Sequence, residues 1–268
     1  MLFLFETNIT QFEANMSSGR NDRQKTLLEY LGEAGTGSIE ELCKRFDVSE
    51  MTIRRDLSEL EREGLLIRTH GGARLKETAF FEVSFAAKAT QFVAEKKRIA
   101  ERAAEFVQDG DRIIIDSGTT TGHFARLLKD RRLTVVSNAL NVATDLIDGR
   151  QIDLHFCGGA LRRGPVAAVG QVAAKFFESI RCDRLFMGVE GIDDTGTMTV
   201  PDVDEALVKQ VMMRAAREVF VLADHSKLRR NSLGVIGGLG SVTALITGEE
   251  ANSSALASLR GLTNVITV

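Results

Sequence analysis

From residue 112 to the end of the chain, short apolar runs alternate with helical patterns, and this alternation restricts the fold more than any other feature. Strand-like runs cover Arg112–Asp116, Leu133–Ser137, Ile152–Cys157, Arg184–Gly188, Val219–Ala223, Ala244–Thr247 and Val265–Val268. Helical spacing separates most of them, over Gly122–Leu128, Leu140–Ile147, Val169–Ser179, Glu205–Ala216 and Ser254–Leu259. A strand that is apolar along its whole length needs cover on both faces. A helix between two such strands returns the chain so that they run parallel. Residues 95–268 therefore read as an α/β domain on a mostly parallel sheet, opened by a helix from Glu95 to Val107.

Ligands on such sheets bind beyond the C-terminal strand ends, and the polar residues gather there. Asp116, Ser117, Gly118, Thr119, Thr120 and Thr121 follow the first strand and lead into a helix. Backbone amides, hydroxyls and a helix N-terminus make an anion cradle. No G-K-[ST] is present, so this is not a nucleotide-binding P-loop. An ordinary capped strand-to-helix turn would use the same letters. Other strand ends carry Asn138, Gly158-Gly159, Glu190, Asp224 and Lys227. Glu205 and Lys209 stand four apart on a helix, a spacing that a surface ion pair of about 0.3–0.5 kcal/mol also explains. Asp224, His225 and Ser226 are the letters of a hydrolase triad, but neighbours in sequence do not give triad geometry.

The first 76 residues follow a different plan. Leu27, Leu28 and Leu31 mark one helix. Ser38 and Glu41 form a capping box for a second, with Ile39, Leu42, Cys43 and Phe46 on one face. Ser49 caps a third, in which Ile53, Leu57 and Leu60 recur on the inner side and Gly64 stands where it ends. At about 100° per residue, Met51, Arg55, Ser58 and Arg62 point outward, flanked by Thr52 and Arg54. Leu65–Arg68 then reads as a strand, His70–Ala73 as a turn, and Arg74-Leu75 as the return. This is a winged helix-turn-helix. Its second motif helix enters the DNA major groove, where arginine reads guanine and threonine meets thymine or phosphate. Arg68, His70 and Arg74 on the wing are placed for the neighbouring DNA backbone.

Charge narrows this reading. The chain carries −3 net, which excludes coating of nucleic acid or membrane by bulk charge. Residues 1–76 hold 11 Lys+Arg against 13 Asp+Glu, so any DNA contact depends on where the arginines sit. Three scattered cysteines and four histidines form no metal-ligand spacing, so no metal or disulfide framework is expected and a reducing cytoplasm is the default. No apolar run is long enough for a membrane span. Residues 1–19 read as a poorly ordered arm, with Met16 an alternative start, and residues 77–94 as a linker.

The segment from Val48 to Ala73 resembles the N-terminal signature of the DeoR family of bacterial transcriptional regulators. The matching elements are Val48-Ser49, Thr52-Ile53-Arg54-Arg55-Asp56-Leu57, Gly64-Leu65, Arg68 and His70-Gly71-Gly72-Ala73. The second half is similar to that family's effector domain at Gly110-Asp111, Asp116–Thr121, Thr134–Asn138, Gly158-Gly159, Gly188, Gly191-Ile192, Glu205, Lys209, Asp224 and Ser226-Lys227. The resemblance runs from about residue 20 to the C-terminus. Departures are Glu190, where many members have Asp, Lys88, where many have Arg near the linker, and the acidic stretch Pro201–Asp204.

The resemblance implies a fold similar to sugar-phosphate isomerases, and a repressor of a sugar or sugar-alcohol operon that a phosphorylated sugar releases from operator DNA. Asp116–Thr121, Asn138, Glu190, Glu205, Lys209, Asp224 and Lys227 are the expected effector-binding residues. Ser49, Met51, Thr52, Arg54, Arg55, Ser58, Arg68, His70 and Arg74 are the expected DNA contacts. No catalytic residue, cofactor or membrane partner is expected. A symmetric operator calls for a homo-oligomer, dimer or tetramer. The alternative is an isomerase-like enzyme fused to a DNA-binding head, since Asp116, Glu190 and Glu205 could each serve as a base.

Overall fold

A computed structural model describes residues 22–63, 65–75, 88–162 and 166–268. The expected N-terminal arm, Met16, Gly64 and most of the expected linker lie outside these residues. The chain divides into two compact units between Ala87 and Lys88.

In the first unit, α1 (Asp22–Ala34), α2 (Ile39–Phe46) and α3 (Glu50–Arg62) pack around Leu27, Leu28, Leu31, Leu42, Ile53, Leu57 and Leu60. Ser38 caps α2 as expected. Its hydroxyl accepts from the Glu41 amide at 3.2 Å, and the Glu41 carboxylate accepts from the Ser38 amide at 2.9 Å. Asp47 turns the chain in the left-handed conformation (φ 50°), and Ser49 caps α3. The wing is three-stranded: β1 (Thr36–Ser38), β2 (Leu66–Thr69) and β3 (Gly72–Leu75), in the order β1-β3-β2.

Two sequence expectations change here. The return strand starts at Gly72, so the turn is only His70-Gly71. Thr36–Ser38 was not expected to be a strand. Three residues without apolar alternation give no pattern, and the pairing depends on close backbone approach. A Cβ at Gly72 would lie 2.0 Å from the Gly37 carbonyl oxygen.

The second unit begins at Lys88, inside the stretch expected to be linker. The ammonium of Lys96 donates to the carbonyls of Lys88 (2.5 Å) and Gln91 (2.7 Å), which fixes this stretch against α4 (Val93–Ala104). The elements then run β4 (Arg112–Ile115), α5 (Thr119–Leu127), β5 (Leu133–Ser137), α6 (Leu140–Leu146), β6 (Ile152–Phe156), β7 (Ala160–Arg162), β8 (Ala167–Val169) and α7 (Gly170–Glu178). They continue with β9 (Cys182–Gly188), β10 (Gly191–Ile192), β11 (Thr197–Val200), α8 (Val203–Ala215), β12 (Ala216–Leu222), β13 (Gly234–Gly238), β14 (Ala244–Thr247), α9 (Ser253–Arg260) and β15 (Asn264–Thr267).

Seven strands form one parallel sheet in the order β15-β14-β12-β9-β4-β5-β6. Side chains alternate between its faces. Ile114, Leu185, Met187, Val219 and Val221 pack with residues of α7, α8 and α9. Ile113, Ile115, Phe186, Phe220 and Leu222 pack with residues of α4, α5 and α6. Continuous apolar strands thus do follow from cover on both sides. The chain enters at β4 in mid-sheet, builds one edge through β6, then crosses back to lay β9 beside β4. The antiparallel sheet β10-β11-β13 and the hairpin β7-β8 were not foreseen, because strands of two to five residues carry little periodicity. No helix among the described residues is long and apolar enough to cross a membrane.

Candidate functional site

In the first unit, the outer face of α3 carries Met51, Arg54, Arg55, Ser58 and Arg62, all exposed, with Thr52 half-buried. Met51 is 81% exposed, which a helix in a packed core would not permit. Arg54 pairs with Glu50 (2.6 Å) and Arg55 with Glu59 (3.2 Å), each one helical turn away. Exposed pairs of this kind contribute at most about 1 kcal/mol, so phosphate or a base edge can replace the carboxylate at small cost. Ser49 and Thr52 share a hydroxyl contact of 2.9 Å at the helix start. Arg68 does not extend along the wing. It folds back on α3, donating to the Ser58 hydroxyl (3.2 Å) and the Arg54 carbonyl (3.5 Å). His70 and Arg74 are exposed on the wing.

Asp56 belongs to the other side of the helix. It is 3% exposed and receives Arg23 through two bonds (2.6 and 3.2 Å) and Gln24 at 3.2 Å. Three residues after Ile53 and four before Leu60, it lies on the inner face, and that phase was readable in the sequence. This polar clamp holds α1 to the helix that presents the arginines.

In the second unit the expected residues meet at the C-terminal edge of the sheet, around the seam between β4 and β9. Asp116 is fully buried. One carboxylate oxygen accepts the Gly188 amide (3.1 Å) and the Lys209 ammonium. Lys209, 2% exposed, also donates to the Gly188 carbonyl (3.0 Å) and lies 3.7 Å from Glu205. The Glu205–Lys209 spacing is therefore no surface pair. Burial works against the charge of Lys209, but Asp116 and Glu205 outweigh it and raise its pKa above the ordinary lysine value. Glu205 accepts Arg162 from β7 at 2.9 Å, and burial raises the pKa of its carboxyl. Arg162 stands 3.7 Å from Asp202, the N-cap of α8. Charges of alternating sign thus run inward from the surface to Asp116. Arg162 was not singled out in the sequence, where nothing but its place just after Gly158-Gly159 marks it.

Ser117–Thr121 lies beside this chain of charges. Gly118 (φ 148°) is the N-cap of α5 and offers no side chain to its amides. The Thr121 hydroxyl donates to the Gly118 carbonyl (3.1 Å), as does the Asn141 amide nitrogen (3.4 Å). Asn138, 1% exposed at the end of β5, donates to the Ala168 carbonyl (3.2 Å), while its side-chain oxygen and that of Asn141 have no partner among the described residues. Buried polar atoms are rarely left so.

After β9, Glu190 accepts Lys88 (2.7 Å) and Lys227 (3.1 Å). Burial raises its pKa, but the two ammonium groups outweigh burial and hold it below the usual glutamate value. Asp224 lies just past the end of β12, where its carbonyl accepts the Lys227 amide at 3.0 Å. It faces the ammonium of Lys96 at 3.7 Å and accepts the Ser226 hydroxyl. His225 turns to Glu95, with Nδ1 at 2.7 Å, so the triad letters form no triad. Glu95, Asp224 and His225 could each offer an atom to a metal within 4.8 Å of one another, but the Lys96 ammonium already places a cation at Asp224.

Residues 23–79 match the DeoR-like helix-turn-helix domain, and residues 91–249 match the DeoR C terminal sensor domain. The chain is 37% identical over 230 residues to the HTH-type transcriptional repressor CsqR of Escherichia coli (strain K12), covering 85% of this chain and 88% of that protein. It is 35% identical to the Glycerol-3-phosphate regulon repressor of the same organism, covering 85% and 90%. Among solved structures, ribose 5-phosphate isomerase A from Methanocaldococcus jannaschii is similar over 50% of this chain and 53% of its own, with 18% identity and a TM-score of 0.37. The isomerase alternative is not favoured, since both of these relatives, matched over most of their length, are named repressors. The reading helix, the sensor sheet and both domain matches agree, and the chain belongs to the DeoR family of DNA-binding transcriptional regulators.

Proposed function

We propose that this regulator represses a sugar or sugar-alcohol catabolic operon and that a phosphorylated sugar, bound at the C-terminal edge of the seven-stranded sheet, releases it from operator DNA. The observation that carries this reading is the uncapped start of α5 beside two asparagine oxygens without partners. The first amides of a helix point at an anion and its dipole favours one. A phosphate there leaves the sugar hydroxyls facing Asn138 and Asn141, which lack donors. The name of the E. coli relative, a glycerol-3-phosphate regulon repressor, fits the same class of ligand. Lys209 plays an internal part in this scheme, because two carboxylates already neutralise it.

On the DNA side, Arg54, Arg55, Met51, Thr52 and Ser58 form the reading surface, Ser49 sets the helix start, and His70 and Arg74 meet phosphate. Arg68 positions α3 through Ser58. Operator sites are read as paired half-sites, so the acting form is a homo-oligomer, and it works in the cytoplasm.

The test is DNA binding by fluorescence anisotropy on the region upstream of the protein's own gene, at one salt concentration, with glycerol 3-phosphate, ribose 5-phosphate, glucose 6-phosphate and inorganic phosphate. A sugar phosphate should weaken binding about 5–150-fold, the usual range of coupling. Asn138→Ala should bind DNA normally and need about tenfold more effector, the loss of one buried hydrogen bond. If no sugar phosphate binds to the protein, or if Asn138→Ala responds with unchanged sensitivity, the ligand site lies elsewhere.

A further inference from the structure

We propose that Glu190 is a built-in competitor for the effector's anionic group, and that its exchange off Lys88 is the event that carries effector binding to the start of the sensor unit. This rests on the effector reading given above.

One carboxylate here serves two ammonium groups. Glu190 takes Lys88 with one oxygen and Lys227 with the other, so the group carries a net positive charge on the edge where the effector sits. Glu190 is two residues past Gly188, whose amide and carbonyl hold Asp116 and Lys209. Its own amide donates to the Thr199 carbonyl (3.0 Å), so its backbone is fixed to β11. The carboxylate engages the two cations for which an external anion would compete, and the two ammonium groups keep it ionised.

A single carboxylate contributes one negative charge and two oxygens. A phosphate ester carries about −1.5 to −2 at neutral pH and three acceptor oxygens, so it outcompetes Glu190 for two lysines. A neutral sugar or a lone carboxylate does not. The competitor thus sets a charge threshold for the ligand. If the phosphate seated at the start of α5 also reaches Lys227, Glu190 cannot stay beside it, since like charges repel, and Lys88 loses its carboxylate.

Lys88 is the first residue of the sensor unit. Residues 76–87 join it in sequence to β3, whose last residue is Leu75. Its carbonyl is held by the Lys96 ammonium, itself 3% exposed and facing Asp224. Lys88 therefore has two attachments to the unit, one through its backbone to Lys96 and one through its side chain to Glu190, and only the second is an ion pair that an external anion can exchange. Losing the second changes how Lys88, the first residue of the unit, is held. Two-state coupling needs such an element, with different contacts in the free and bound forms.

The experiment uses the full chain. DNA affinity is measured by anisotropy on the upstream region, and binding of ribose 5-phosphate, glycerol 3-phosphate and inorganic phosphate by calorimetry, for wild type, Lys88→Gln, Glu190→Gln and the exchange Lys88→Glu/Glu190→Lys. Both single variants open the pair without ligand. Their DNA affinity should fall by most of the factor that effector produces in the wild type, and the remaining response to effector should be less than about twofold. Glu190→Gln should also bind the sugar phosphate at least about fivefold more tightly and begin to bind inorganic phosphate, because no competitor must leave. The exchange variant should regain DNA affinity without regaining the response, which simple loss of stability would not produce. Single variants with wild-type DNA affinity overturn the proposal, as does unchanged ligand affinity in Glu190→Gln. If the wild type binds none of the three probes, the effector reading fails, and the DNA affinities of the variants still decide whether the pair controls the head.

Discussion

Replacing Lys209 by Met should be among the most damaging single changes in the sensor unit. Methionine keeps most of the stem, so the charge dominates the outcome. Deleting one partner of a buried ion pair costs about 3–5 kcal/mol, because the other charge stays buried and unpaired. Two carboxylates lose Lys209 here, unequally. Glu205 keeps Arg162 at 2.9 Å. Asp116, wholly buried, keeps only the Gly188 amide at 3.1 Å and the Ser117 hydroxyl at 3.4 Å, which places the expected cost in the upper half of that range. Asp116→Asn is milder. It leaves Lys209 with the Gly188 carbonyl at 3.0 Å and Glu205 at 3.7 Å, so about 1–3 kcal/mol is expected. The raised pKa of Lys209 gives the sign with pH: its contribution is fully present below the ordinary lysine value of 10.5 and is lost as pH rises through the higher folded value. At neutral pH the whole effect should therefore be visible. For a domain of this size each kcal/mol moves the melting temperature by about 2–4 °C, so Lys209→Met should melt about 8–20 °C lower in scanning calorimetry of the full chain. The double variant should recover part of the loss, since the two charges leave together. A Lys209→Met protein melting with the wild type, or Asp116→Asn falling further than Lys209→Met, would refute the charge-balance reasoning.

Three other outcomes are expected. Arg55→Ala should cost about 1–3 kcal/mol of operator affinity and relax the preference at one base position, whereas Arg54→Ala, if Arg54 meets phosphate, lowers affinity on all sequences and flattens the salt dependence; operator titrations at several salt concentrations separate the two, and unchanged binding by both would remove α3 as the reading helix. Gly72→Ala places a Cβ 2.0 Å from the Gly37 carbonyl oxygen, and because that neighbour is backbone the wing should lose about 3 kcal/mol or more, measured by urea unfolding; a loss under about 0.5 kcal/mol would mean that the β1-β3 pairing is not needed. The pKa of Glu190 is lowered by Lys227 and Lys88 against the opposing effect of burial, so its stabilisation is present above the ordinary glutamate value of 4.5 and is lost as pH falls through the lower folded value; the melting difference between wild type and Glu190→Gln should shrink on that acid limb and stay constant at neutral pH.

Much of the fold could be read from the sequence because its two signals are strong. The inner sheet strands, such as β4 and β9, are apolar over most of their length, and the helices between the strands repeat their apolar residues every three or four positions. Predicted bounds for Leu133–Ser137 and Ala244–Thr247 coincide with β5 and β14. The strand β1, the hairpin β7-β8 and the sheet β10-β11-β13 stayed hidden because pairing between short segments, not side-chain periodicity, makes them. For the candidate site, the strand-end positions of Asp116, Asn138, Glu190 and Lys227 followed from the sheet itself. What did not follow was pairing. Nothing in the spacing of Glu205 and Lys209 says that the lysine is buried against Asp116, ninety-three positions away, or that Arg162 completes the chain of charges. Asp56 shows the opposite case, since the helical phase that placed Arg55 outside also placed Asp56 inside.

The order in which the sheet is laid down bears on how the protein is made. The ribosome releases β4, β5 and β6 before β9, and each of the first three finds a neighbour among the other two. Asp116 emerges with that early half, long before Gly188 and Lys209, the groups that make its burial tolerable. Until they arrive, the edge holding Asp116 has to stay hydrated, so the seam between β4 and β9 is the place where the nascent sensor closes last. Anything that binds across the seam then acts twice: on the finished regulator, and on the fraction of new chains that complete it.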